Sequence, residues 1–270
     1  MKNKSQVSAL VECAIMVALS TILSLITLGS FPTGGSITLA SMMPIVVVSY
    51  RRGIFWGLLS ASATSLLQMI VGLSAFSYVT TWQSVLAVAL LDFVFAFLVY
   101  GFSGIFRKVF NDQTTALVTG ALTTSVLRYL CHVISGATVW AGLSIPDSAA
   151  LLYSLSYNAT YMIPDALILC IVTAYISAAI DFRRDIPTVV KRNKAKDSLT
   201  LGIISGLVML FAVVFDIVAV FTKLQSESGE FDAALLSSVN WTLILIVNIP
   251  CVIIAAALFT IAYLKDKKPQ

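Results

Sequence analysis

The sequence predicts an all-α, polytopic membrane bundle, and three observations lead there. Apolar residues make up 59% of the 270 and charged residues only 11%, with a mean hydropathy of +0.95. A soluble domain carries about a quarter charged residues to keep its surface wet. Apolar stretches of spanning length recur along the chain, and the basic residues gather in clusters between them.

Eight spans are expected, at residues 9–28, 37–50, 54–73, 85–106, 114–134, 151–180, 199–222 and 239–264. The first holds the step Ala14-Ile-Met-Val-Ala18, whose small residues let another helix approach closely. The second is short. Its length corresponds to a rise of about 21 Å against a hydrocarbon core of about 30 Å, so it either sits deep among its neighbours or begins earlier, near Gly34. The remaining six are each about 20 residues or longer, enough to span. Residues 181–198 are the one long charged stretch. They divide the chain into a six-helix substrate-binding core (1–185), a basic cytoplasmic linker (186–198) and a two-helix extension (199–270). No strong internal repeat is visible, which weakens an inverted-repeat transporter reading.

Orientation follows from the positive-inside rule. With the N-terminus in the cytoplasm, eight crossings place Lys2 and Lys4, Arg51 and Arg52, Arg107 and Lys108, the six bases between Arg183 and Lys196, and Lys265, Lys267 and Lys268 on the inner side. That is 15 of the 17 basic residues; Arg128 falls within the membrane and Lys223 outside. Both termini are therefore expected in the cytoplasm of a multi-pass cell-membrane protein. The outer connections, residues 29–36, 74–84 and 135–150, are polar and small, and Gly34 and Gly35 permit a sharp bend in the first.

Several function classes find no support. Cys13, Cys131, Cys170 and Cys251 lie in apolar stretches without CxxC pairing, so neither a disulfide framework nor a zinc site is expected. One histidine is too few for a histidine-rich metal site. No HExxH, GxSxG or Walker motif occurs, so no enzyme and no cofactor is predicted, and the chain does not hydrolyse ATP by itself.

Polar groups within spans carry what chemistry remains, because each costs about 2.5–3.5 kcal/mol to insert at a helix centre and faces the bundle interior or a cavity. Asp92 lies in span four and calls for a cation: Arg128, a substrate or a coupling ion. An internal Asp92–Arg128 pair that only fixes packing is the structural alternative. Arg128 and His132, four apart, share a face of span five. His132 ends that span beside the flexible Ser135-Gly136 stretch, which favours a pocket wall. Trp140, Tyr153, Tyr157 and Tyr161 surround Asn158; Tyr157 and Tyr161 fit an interfacial aromatic belt equally well. Asn158, Tyr161 and Asp165 line one helical face. Tyr153 and Asn158 do not share a face on an ideal helix, so they converge only if Tyr153 belongs to the loop or the first turn is distorted. A carboxylate, an imidazole, an amide and several rings suit a small, flat, cationic heteroaromatic ligand, since aromatic faces attract cations by about 0.5–2 kcal/mol each.

The stretches Arg128-Tyr-Leu-Cys-His-Val-Ile-Ser-Gly136, Trp140, and Tyr153-Ser-Leu-Ser-Tyr-Asn-Ala-Thr-Tyr-Met-Ile-Pro164 are specific. Together with Gly34-Gly-Ser-Ile-Thr-Leu-Ala-Ser-Met-Met-Pro44, Tyr50-Arg-Arg-Gly53 and Leu91-Asp-Phe-Val-Phe-Ala-Phe97, they resemble the thiamin-binding S components of energy-coupling factor (ECF) transporters over residues 9–185. The resemblance implies a six-helix bundle that captures thiamin from outside and passes it to a shared module of a transmembrane scaffold subunit and two cytosolic ATPases. It implies Asp92, His132, Trp140, Tyr153 and Asn158 as ligand residues, Ala14 and Ala18 as the docking step on the scaffold, and the loop at Gly34–Ser36 as the outer gate. Two features depart from the pattern. The first outer loop lacks the tryptophan that some members carry there, Phe31 being its one aromatic residue, and spans seven and eight, with Asp216 in one, are additional. The competing readings are an S component for a thiamin precursor or another vitamin, a stand-alone ion-coupled secondary transporter using Asp92 or Asp216, and an intramembrane enzyme or scaffold.

Overall fold

Short polar side chains decide where the helices begin. Asp112 accepts a hydrogen bond from the Thr115 N–H at 2.7 Å, and Thr81 accepts one from the Ser84 N–H at 3.2 Å, each capping the helix that follows. The computed structural model describes residues 2–30, 35–140, 150–190, 195–224, 235 and 238–267. Phe31, Gly34, the loop residues 141–149 and the linker residues 191–194 lie outside them.

The chain divides into two compact units, Met1–Thr188 and Val189–Gln270. In the first, α1 (Lys2–Leu25) leads into a two-stranded antiparallel hairpin, β1 (Thr27–Ser30) and β2 (Ser36–Thr38), with Thr27 opposite Thr38 and Gly29 opposite Ile37. There follow α2 (Met43–Arg52), α3 (Ile54–Val71), a 3₁₀ turn at Leu73–Tyr78, the long helix α4 (Trp82–Lys108), α5 (Gln113–Thr138) and α6 (Ala150–Ala179). Among the described residues of both units, seven helices are long and apolar enough to cross a membrane. The expected second span is not one of them: residues 37–50 split into β2, a turn and the ten-residue α2. The alternative of an earlier helix start near Gly34 fails, because β2 occupies that stretch. The other alternative describes α2 well. Every residue from Pro44 to Tyr50 is buried, with α1, α3 and α4 packed around it. A helix apolar on all sides is stable only when enclosed, and enclosure by protein removes the need for spanning length. Gly53, at φ +90°, turns the chain straight from α2 into α3.

Glycines bring these helices together. Ser49 of α2 donates to the Gly101 carbonyl at 2.6 Å and accepts from the Gly104 N–H at 2.8 Å. A side chain at Gly57 would meet the Gly101 carbonyl and Ser49, and one at Gly104 would overlap the Ser49 carbonyl. Backbone approach of this kind drives helix association where lipid offers no hydrophobic force. Gly104→Ala is expected to destabilise the protein by about 1–3 kcal/mol, the range for overpacking, read as a lower unfolding midpoint in detergent. The outward faces carry Phe55, Leu66, Ile70, Leu122 and Val126, all exposed, as lipid solvation requires.

Two ends are stapled by side chains. Gln113 donates to the Ser177 and Ile180 carbonyls and accepts from the Phe182 N–H at 2.8 Å. Arg51, at the end of α2, bonds Glu12 of α1 and the carbonyls of Phe182, Arg184 and Asp185.

The second unit is a pair of long helices, α7 (Ala195–Leu224) and α8 (Trp241–Lys267), packed side by side. Ser205 donates to the Ala255 carbonyl at 2.8 Å, and the Asn248 amide donates to Asp216 at 2.7 Å. Polar contacts of this kind fasten helices inside a bilayer. Asn240, part of a glycosylation-like triplet, caps α8 by accepting from the Leu243 N–H.

Candidate functional site

Asp92 lies in a π-helical turn, Ala89–Phe95, within α4. The extra residue of such a turn rotates the side chains around it, and such turns recur at functional sites. Facing it on α5 is a stripe at helical spacing, Arg128, His132 and Ser135. His132 Nδ1 lies 3.0 Å from Asp92 Oδ1, Ser135 donates its hydroxyl to Oδ2 at 2.7 Å, and Trp140 Nε1 donates to Oδ2 at 3.0 Å. The carboxylate points inward, with only 14% of its side chain exposed. Ser135 and Gly136 are not part of a loop: α5 runs to Thr138 and buries both. The helical ladder continues past Ser135, whose carbonyl accepts from the Val139 N–H at 2.7 Å.

The expected Asp92–Arg128 alternative does not form. Arg128 pairs instead with Asp165 of α6, at 3.5 Å, and stacks over the Phe97 ring at 4.5 Å. Each intramembrane charge therefore has its own partner, Asp92 with the imidazole and Arg128 with the second acid, which limits the cost of burial.

The opposite wall comes from α6. Tyr153 and Tyr157 stack with ring centroids 5.7 Å apart, and Tyr157 meets Tyr161 edge-on at 5.9 Å. All three are buried and line the cavity described below, so they are not an interfacial belt. The Tyr161 hydroxyl donates to Asn158 Oδ1 at 2.5 Å, and the Asn158 amide donates to the Ser154 carbonyl at 2.9 Å. Tyr153 belongs to the helix, not to the preceding loop. It reaches the cavity on the i, i+4, i+8 stripe of the tyrosines, while Asn158 enters from the adjacent row.

These groups surround one cavity of about 610 Å³, within the range of small-molecule sites. Asp92, His132, Trp140, Tyr153 and Asn158 all line it. The roof includes Gly35, Ser36 and Thr38 of the β-hairpin. Ala14 and Ala18 are elsewhere, exposed on the outward face of α1 beside Ile15 and Leu19. Sequence reasoning missed Ser135, Gln68, Tyr78 and, of the hairpin, Thr27 and Thr38. Ser135 was within reach, seven positions after Arg128, had the helix been extended; Gln68 is the one amide in span three. Tyr78, in a 3₁₀ turn, and the hairpin left no periodic signal. Among the described residues, no cluster of three or more His, Cys, Asp or Glu could hold a metal ion.

Residues 10–183 match the family model described as thiamine transporter protein. Over 183 residues the chain is 34% identical to the thiamine transporter ThiT of Bacillus subtilis (strain 168), covering 64% of this chain and 91% of that protein. A solved structure of ThiT from Listeria monocytogenes shares the fold, with a TM-score of 0.52 at 24% identity, over 64% of this chain and 94% of that one. The matched residues include every described residue that lines the cavity, and by this match the chain belongs to the thiamine transporter protein family.

Proposed function

We propose that the protein binds thiamin from outside the cell, as the substrate-capture subunit of an ECF-type transporter. One observation carries this reading: a half-buried carboxylate, Asp92, and a stripe of three tyrosines face a single cavity. Thiamin joins a permanently cationic thiazolium to an aminopyrimidine. The carboxylate opposes the positive charge, and the tyrosine faces and Trp140 stack on the rings. Asn158 and His132 supply the directional hydrogen bonds that fix a heteroaromatic ring in such a pocket.

The residues that hold the ligand in this reading are Asp92, His132, Trp140, Tyr153 and Asn158. In this reading the protein acts by binding and release, without turnover. Energy comes from a transmembrane scaffold subunit and two cytosolic ATPases, with Ala14 and Ala18 giving the scaffold close access to α1. Both termini face the cytoplasm of the cell membrane, on the distribution of lysine and arginine. The core (1–185) binds, the basic linker follows, and the two-helix extension is an addition to that core.

Mass spectrometry of the small molecule that co-purifies in mild detergent tests the reading, with thiamin the expected mass. Quenching of tryptophan fluorescence follows binding directly: saturable quenching by thiamin but not by its pyrimidine fragment supports thiamin, and the reverse order moves the assignment to a precursor. Uptake by proteoliposomes lacking ATP and partner subunits would overturn the subunit reading in favour of an ion-coupled carrier. Tyr157→Leu is expected to weaken thiamin binding about two- to tenfold, the worth of one aromatic pair, in the same titration.

A further inference from the structure

The β1–β2 hairpin that roofs the cavity is held from outside its own backbone, by Asp165. This acid follows Pro164 on α6 and is 7% exposed. Its Oδ1 accepts two hydrogen bonds from one residue at the end of β2: the Thr38 N–H and the Thr38 hydroxyl, each at 2.8 Å. Its Oδ2 faces Arg128 of α5 at 3.5 Å. The Thr38 hydroxyl also sits 2.9 Å from that of Ser41, whose carbonyl accepts from Ser20 of α1 at 2.7 Å. One helical turn before Asp165, Tyr161 packs under Gly35, where an added Cβ would lie 2.6 Å from the ring and where φ is +91°. The hairpin thus rests on α6 at two points one turn apart. One is a close contact that admits only glycine, the other an ionic pin.

The site as described does not use this pin. Asp165 is absent from the cavity lining, whereas Thr38 and Arg128, the two residues it joins, both belong to it. Removing the charge weakens both bonds from Thr38, since an ionised acceptor makes a hydrogen bond about twice as strong as a neutral one, and leaves a buried guanidinium without its counter-charge. Both losses weigh most in a low-dielectric interior. We propose that Asp165 is a positioning residue that holds the hairpin closed over the cavity, so that its pairing with Thr38 and Arg128 sets how fast a bound ligand leaves. The proposal rests on the reading of the cavity as a vitamin site and adds a residue that touches no ligand.

The experiment compares Asp165→Asn with Thr38→Val, which removes the hydroxyl bond from the other end and leaves Arg128 paired. Hydrogen exchange is measured without ligand, and thiamin dissociation by stopped-flow tryptophan fluorescence. Expected is exchange at least tenfold faster in residues 35–39 for Asp165→Asn, unchanged exchange in α2, and thiamin release about fivefold faster. Thr38→Val is expected to shift both readouts in the same direction, and the double variant to shift them by less than the product of the two. Unchanged exchange in residues 35–39 would overturn the proposal, as would equal acceleration in the hairpin and α2, the mark of a general loosening. Multiplicative effects of the two substitutions would overturn it as well. If Asp165→Asn does not fold, Thr38→Val alone decides by the same two readouts. If the wild-type protein binds no thiamin, the proposed function fails, while the exchange measured without ligand still decides whether Asp165 pins the hairpin.

Discussion

Asp92→Asn is expected to weaken thiamin binding ten- to a hundredfold, about 1.4–2.8 kcal/mol, and to leave the protein folded. The substitution keeps the shape and removes the charge. Among the described residues Asp92 is the one acid on the cavity lining, so no other described side chain there replaces its attraction for a cation. The neighbours tolerate the change. Trp140 Nε1 and Ser135 both donate to one carboxylate oxygen, and the asparagine carbonyl can serve both. Its amide then faces His132 Nδ1, which accepts once the imidazole carries its proton on Nε2. Titration by calorimetry or tryptophan quenching, alongside an unfolding scan, separates lost affinity from lost structure. Equal affinity with an unchanged midpoint would take the carboxylate out of ligand recognition.

The largest effect on stability is expected at Arg51. All three guanidinium nitrogens are engaged: Nε and Nη2 with Glu12, Nη1 with the carbonyls of Phe182 and Arg184, and Nη2 also with that of Asp185. The side chain is 4% exposed. One residue therefore fastens α1, α2 and the segment after α6, positions far apart in the chain. Arg51→Ala leaves three carbonyls short of a donor and Glu12 with Arg52 as its remaining cation, and several lost bonds to a charged donor, at about 1.5–3 kcal/mol each, make a loss of about 3–5 kcal/mol. Arg51→Lys is expected to recover only part of this, because a single ammonium cannot reproduce the planar fork. Arg52→Ala is the control. Its side chain is more exposed and its main ionic partner is the same carboxylate, so a loss of about 1 kcal/mol or less is expected. Thermal unfolding in detergent ranks the three; an Arg51→Ala midpoint no lower than that of Arg52→Ala would show that the carbonyl contacts contribute nothing.

Much of this molecule was legible in the chain itself. A polypeptide with so few charges has lipid as its solvent, and lipid forces the backbone into helices. The long spans and the inward orientation of Asp92 and Arg128 follow from that. Spacing told that Arg128 and His132 share a face, because helix periodicity is a local property.

What periodicity does not carry is the partner on another element. The sequence offered Asp92 to Arg128 as readily as to His132; only the rotation of the π-helical turn and the position of α6 pair Arg128 with Asp165 instead. It read residues 37–50 as a span because they are apolar, yet enclosure among α1, α3 and α4 is what lets them fold as a strand, a turn and a short helix. It left Tyr157 and Tyr161 between a lipid belt and a pocket wall, since a ring at a given helical position is apolar in either setting. Composition and periodicity fix the solvent and the helices, because each residue contributes to them independently. Which charges meet, and which rings face a cavity, depends on contacts between residues up to 130 or so positions apart, such as Thr38 and Asp165 or Arg51 and Phe182, and those exist only once the helices have packed.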